Sequence, residues 1–97
     1  MELKIKAIHF DANERLHAFI EKKAARLEKK FERATKLEVT LKVVKPETAM
    51  NKETQLHLYM PGGDVHADRT CDTFEEGVQE CIDALLKQLE KYKDKNK

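Results

Sequence analysis

Hydrophobic residues recur along this chain at two periods, and the order in which the periods alternate leaves few folds open. Residues 2–8 alternate, with Leu3, Ile5 and Ala7 on one side and Glu2, Lys4 and Lys6 on the other. A period of two marks a half-buried strand. From 14 to 34 the period lengthens: Leu16, Ile20, Ala24, Leu27, Phe31 and Ala34 form one stripe of a helix that Asn13 can cap. Alternation returns at 37–45 (Leu37, Val39, Leu41 and Val43 inward, then Pro46) and at 54–60 (Leu56, Leu58 and Met60 inward), with a polar loop from Glu47 to Lys52 between them. Pro61-Gly62-Gly63 reads as a turn into a short strand carrying Val65 and Ala67 through about Thr70. Asp72 or Thr73 can cap a last helix whose stripe is Phe74, Val78, Cys81, Ile82, Leu85, Leu89 and Tyr92.

The order β-α-β-β-β-α defines an α+β class. The first strand–helix–strand unit predicts a right-handed parallel crossover. The following strands add as an antiparallel meander, giving a four-stranded mixed sheet. Both helices must then cover one face of it to bury their stripes. The opposite face would expose Lys4, Lys6, Thr40, Lys42, His57, Tyr59 and His66. Helices laid over such a sheet resemble a double-stranded RNA-binding domain with an extra first strand. Ninety-seven residues make one domain, 1–97, with a flexible tail expected from about 94.

Charge is segregated rather than neutralised. Between Lys22 and Lys36 stand seven Lys/Arg against two Glu, although the formal charge of the chain is +1. Lys22, Arg26, Lys29 and Arg33 step by four, three and four, so they share one helix face, flanked by Lys23 and Lys30. Glu14, Glu21, Glu28 and Glu32 fall on another face. The last helix starts acidic, with five acids and no base from Asp72 to Asp83, and ends with Lys87, Lys91, Lys93, Lys95 and Lys97. Cations at a helix C-terminus also complement its dipole. Two basic helix segments on one layer are a phosphate-binding pattern that gives affinity and shape recognition without base specificity.

Other chemistries find little support. Cys71 and Cys81 lack Cys-x-x-Cys spacing and read as packed, reduced thiols, and Cys71 has no His partner at a defined spacing. His57 and His66 can meet across the hairpin but want further ligands for a metal. Glu75, Glu76, Glu80 and Asp83 read as helix-start charge. Six aromatics and no Trp make a broad base-stacking platform improbable. With no apolar run near the ~18 residues of a membrane span, the chain reads as cytoplasmic. The expectation is a protein with no catalytic site, no metal, no cofactor, no small-molecule substrate and no membrane partner.

Several stretches resemble the short form of the ribosome hibernation-promoting factors, the family that includes protein Y. They are Phe19 to Phe31, with Lys23, Arg26, Leu27 and Glu28; Leu41-Lys42-Val43 through Lys45; and Pro61-Gly62-Gly63-Asp64-Val65-His66-Ala67 through Asp72-Thr73-Phe74 and Ile82-Asp83 to Gln88-Leu89-Glu90-Lys91-Tyr92-Lys93-Asp94-Lys95. The resemblance implies binding to the small ribosomal subunit and its rRNA between head and body, over the decoding region. Messenger and transfer RNA would be occluded there, and translation would stop under stress or in stationary phase. By position it implies rRNA contacts at Lys23, Arg26, Lys29, Lys42, Lys87, Lys91, Lys93 and Lys95. Lys22, Lys30 and Arg33 join them from the helical face alone. The end at Lys97 would place the chain with the short forms, which act with a separate ribosome modulation factor.

Two departures stand out. The family usually has Ala-Ala-Ile-Asp after the aromatic that opens the last helix, where this chain has Glu75-Glu76-Gly77-Val78-Gln79, and a family lysine falls at Ala84. Both weaken the RNA contact expected from that helix. A general structured-RNA-binding or RNA-chaperone module is the alternative reading. A protein-interaction domain using the sheet around His57 and Tyr59, or the acidic helix start, is a third.

Overall fold

The structure, a computed structural model, describes the backbone of residues 1–8, 10–44 and 50–95, with side chains up to Lys91. Its elements are β1 (Glu2–Ile8), α1 (Glu14–Lys30), β2 (Lys36–Val43), β3 (Lys52–Met60), β4 (Gly63–Cys71) and α2 (Phe74–Lys95). The sheet order is β1-β2-β3-β4, with β1 parallel to β2 and the other two pairs antiparallel. Period-two alternation sorts Leu37, Val39, Leu41, Leu56, Leu58, Met60 and Ala67 to the helix-covered face, where they are buried with Leu16, Ile20, Leu27, Val78, Leu85 and Leu89.

Parallel pairing dictates how the helices run. α1 joins the end of β1 to the start of β2, so it returns antiparallel to both, and the Met1 ammonium reaches Glu28 late in the helix at 2.9 Å. Two antiparallel steps leave β4 parallel to β2, so α2 starts at the same end of the sheet as α1. Glu80 near its start meets Cys71 at the end of β4, and Gln88 further on donates to the His66 carbonyl at 2.8 Å. Both helix N-termini therefore share one pole of the molecule.

Local chemistry sets most boundaries. Asn13 caps α1 by accepting from the Leu16 N–H at 2.8 Å. α1 stops at Lys30 rather than reaching 34: the Phe31 N–H closes on the Leu27 and Glu28 carbonyls. Ala34 is still buried but leads toward the sheet, because Thr35 bonds both Glu2 and Tyr59. Arg33 consequently sits in a turn beyond the helix. β3 begins at Lys52, two residues earlier than the alternation suggests, and Pro46 lies outside the described residues. Pro61 followed by Gly62 at φ 85° is the residue pair a type II turn needs. It closes the β3–β4 hairpin tightly enough to pair Met60 with Gly63. Thr73 caps α2 through the Glu76 N–H at 3.1 Å, which frees Asp72 to accept from the Met50 N–H at 2.6 Å.

One departure from the family pattern has a packing reason. A Cβ on Gly77 would lie 2.4 Å from Thr54 Oγ1 and 3.0 Å from Thr54 Cβ. Thr54 is fully buried and its hydroxyl has no partner among the described residues. Gly77 thus lets α2 settle on β3. In a helix interior Ala beats Gly by ~1 kcal/mol, whereas overpacking a tight core costs ~1–3 kcal/mol. Gly77→Ala should therefore lower stability to denaturant in this background, and lower it less once Thr54→Ala has removed Oγ1 and left only the Cβ at 3.0 Å. Equal effects in both backgrounds would mean that α2 does not rest on Thr54.

Candidate nucleic-acid interface

α1 has two charged flanks, and contacts fix which way each one faces. Glu14, Glu21 and Glu28 recur at sevens. Glu28 bonds the Met1 ammonium at the outer edge of the sheet, so this acidic flank looks outward past β1. The opposite flank looks toward α2: Arg15 and Phe19 line a shallow groove with Phe74 and Glu75 at the start of that helix, floored by the stacked rings of Phe10 and Phe74. Lys22, Arg26, Lys29 and Lys30 continue along this flank and are exposed. Lys23 is half-buried, with its Nζ 5.4 Å from the centre of the Phe19 ring. No ion pair engages any of these cations among the described residues.

Arg15 belongs to the same row, at seven residues before Lys22 and eleven before Arg26. The spacing was available, but the arginine stands apart from the dense run that begins at Lys22. Arg33 contributes an exposed cation near the end of the row, not on it.

The lysines of α2 do not extend this strip. Glu80, Lys87 and Lys91 recur at seven and four, so they share one flank. The bonds of Glu80 to Cys71 and of Gln88 to His66 turn that flank toward β4, away from α1. Between the two basic rows runs a ridge of α2 carrying Gln79, Asp83 and Glu90, with Gln79 donating to Asp83 at 3.1 Å. The side chains of Lys93 and Lys95 lie outside the described residues. Lys42 is on the other layer: it pairs across the sheet with Ile8 and Glu53 on the face that neither helix covers. The structure thus brings together the α1 cations, sets Lys87 and Lys91 apart on a second strip, and puts Lys42 on the opposite face.

The open face holds the residues that alternation assigns to it. His57 and His66 are directly paired, with ring centres 5.9 Å apart, and His57 stacks on Tyr59 at 4.2 Å. His57 Nε2 is in hydrogen-bond contact with Asp64. Lys36 pairs with Glu38 at 3.1 Å; that bond first of all holds the Glu38 carboxyl below its ordinary value and the Lys36 ammonium above its own.

Both cysteines are buried and free. Burial first, and then the 2.9 Å bond that the thiol donates to Glu80, push Cys71 up to about 11. Burial pushes Cys81 up to about 12. An activated nucleophile needs the opposite shift. Cys71, Glu76 and Glu80 do converge, with candidate ligand atoms within 4.8 Å of one another, but a closed zinc site uses four ligands. Alkylation of native protein at pH 8 should accordingly be slow at both thiols, and Glu80→Gln should accelerate it at Cys71 by lowering that pKa. Rapid labelling of wild-type Cys71, read by mass spectrometry, would contradict this packing.

Two parallel helices on one face of a four-stranded mixed sheet, with the exposed cations of α1 gathered on one flank, define the class: a small α+β domain with a basic helix flank. The family described as Sigma 54 modulation protein / S30EA ribosomal protein matches residues 3–97, and the chain belongs to it. It is 33% identical over 97 residues to the ribosome hibernation promoting factor of Escherichia coli K12, covering 100% of this chain and 98% of that protein. The hibernation promoting factor of Salmonella typhimurium is 35% identical at the same coverage. Among solved structures, a ribosomal subunit interface protein from Coxiella burnetii superposes with a TM-score of 0.87 at 21% identity, covering 97% of this chain and 99% of that one. The N-terminal domain of Thermus thermophilus protein Y gives 0.80 at 18% identity, with 95% and 99% covered. These two likenesses concern the fold.

Proposed function

We propose that this chain is a ribosome hibernation factor that docks on the small ribosomal subunit through the Arg15–Lys30 flank of α1. There it would lie over the decoding region, exclude messenger and transfer RNA, and halt translation in stressed or stationary cells. It acts by occupying space, without chemistry of its own, and its place of work is the cytoplasm. The observation that carries this reading is the α1 flank: five exposed cations (Arg15, Lys22, Arg26, Lys29 and Lys30), kept apart from the acidic flank and unpaired among the described residues. Membership of the family and the full-length match to proteins named ribosome hibernation promoting factor support the ribosome as the partner.

Lys87 and Lys91 are a second, separate contact in this reading, and Lys93 and Lys95 would extend it along the same helix. Asp83 and Glu90 stand between the two strips, so the RNA must approach as two backbone segments or as one groove edge straddling the ridge. Lys42 faces the other way and contributes only if a further RNA segment reaches the uncovered sheet. A separate modulation factor would be needed for ribosome pairing by a partner-dependent route.

Co-sedimentation with small subunits separates the surfaces. Lys22→Glu with Arg26→Glu should weaken binding roughly tenfold or more at moderate salt, because phosphate contacts dominate affinity. Lys4→Glu with Lys6→Glu should leave it intact. Retained binding by the α1 variant, or loss by the sheet variant, would reverse the proposed orientation. Excess free duplex RNA should compete poorly; equal competition would favour a general RNA-binding or chaperone role.

A further inference from the structure

The uncovered sheet face has a charge pattern of its own, independent of the helices. Reading across the strands, its rows are Glu2-Lys36-Tyr59-Asp64, Lys4-Glu38-His57-His66, Lys6-Thr40-Gln55-Asp68 and Ile8-Lys42-Glu53-Thr70. The β1/β2 half holds four lysines against two glutamates. The β3/β4 half holds three acids and no Lys or Arg. With neutral histidines that is +2 beside −3, a face whose two halves have opposite sign. RNA binding would want one sign throughout.

Such a surface is complementary to itself. Two copies placed face to face about a two-fold axis parallel to the strands set β1 over the partner's β4 and β2 over the partner's β3. Each row then lies over the same row reversed: Lys6 of each copy meets Asp68 of the other and Lys42 meets Glu53, while Lys4 lies over His66 and Glu2 over Asp64. An axis across the strands would instead put β1 over β1 and lysine over lysine, so charge selects one of the two symmetric arrangements. The available side chains fit this role. Lys4, Lys6 and Asp68 are exposed and form no ion pair among the described residues, whereas Lys36 and Glu38 already satisfy each other. At the centre, His57, Tyr59 and His66 form a contiguous cluster of rings, and the sheet dips between Glu38, Thr40, Gln55 and Asp68.

We infer that the uncovered sheet face is a self-association surface, on which a second copy of this chain docks with its β1/β2 half over the β3/β4 half of the first. Four strands ~4.8 Å apart, at ~3.3 Å per residue over eight residues, offer roughly 500 Å² per copy. That total of roughly 1,000 Å² is the lower bound for a specific interface. The dimer is therefore weak, wet and salt-sensitive, and its orientation is steered by charge rather than by apolar burial. In it both helix layers face outward on opposite sides, so the α1 flank stays free for RNA.

A charge-swap experiment tests this directly. Sedimentation equilibrium at low salt should show concentration-dependent dimers of the wild-type chain that dissociate as salt is raised. Lys6→Glu with Lys42→Glu should be monomeric, because acid then opposes acid. Glu53→Lys with Asp68→Lys should be monomeric for the mirror reason. Mixing the two variants should restore association, now between unlike chains, because both contact sets are again of opposite sign. Circular dichroism of each variant confirms that it is folded. A wild-type chain that stays monomeric at millimolar concentration and low salt would overturn the proposal, and so would two variants that fail to associate when mixed. Lys22→Glu with Arg26→Glu should dimerise like wild type, so a failure here leaves the RNA-docking reading to its own test.

Discussion

The parallel pairing of β1 with β2 decides the direction in which α1 runs, and through it the placement of every charged row. A parallel neighbour can be reached only by a crossover, and the crossover is α1 itself. Two further antiparallel steps then bring α2 in beside it with the same polarity. The helix starts at one pole collect Asp11, Glu14, Asp72, Glu75 and Glu76, and the helix ends carry the lysines at the other. Topology thus brings the acidic starts of both helices to one pole although the net charge of the chain is only +1.

Much of this could be read from residue order. The switch between a period of two and a period of 3.6 identifies six elements and both faces of the sheet, and the register confirms the face that carries Lys4, Lys6, Thr40, Lys42, His57, Tyr59 and His66. The end of α1 was hidden because Phe31 and Ala34 keep helical spacing while being buried for another reason: Ala34 and Thr35 belong to the approach to β2. Arg15 is inconspicuous as a row member in the sequence, because one cation at seven residues does not stand out against a dense basic run. The relation between the two helices was beyond reach. A helical wheel shows that Lys87 and Lys91 share a flank, but not whether it turns toward α1 or β4, and that depends on Glu80 meeting Cys71 and Gln88 meeting His66.

That last point changes how the chain would grip RNA. One continuous basic strip across both helices would suit a single backbone track. Two strips separated by Asp83 and Glu90 would suit a site that presents phosphates on both sides of a ridge. Under the proposed function, specificity for such a target would arise from spacing rather than from base contacts. The net charge of +1 fits the same proposal, since few phosphates would be neutralised and long-range attraction to arbitrary RNA would be weak.

A density map of this chain bound to isolated small ribosomal subunits addresses the central claim most directly. The helix layer should face rRNA, with Lys22, Arg26 and Lys29 against backbone phosphates and the His57–Tyr59 face of the sheet turned away from it. A complex in which that sheet face rests on rRNA while the α1 flank points into solvent would contradict the account.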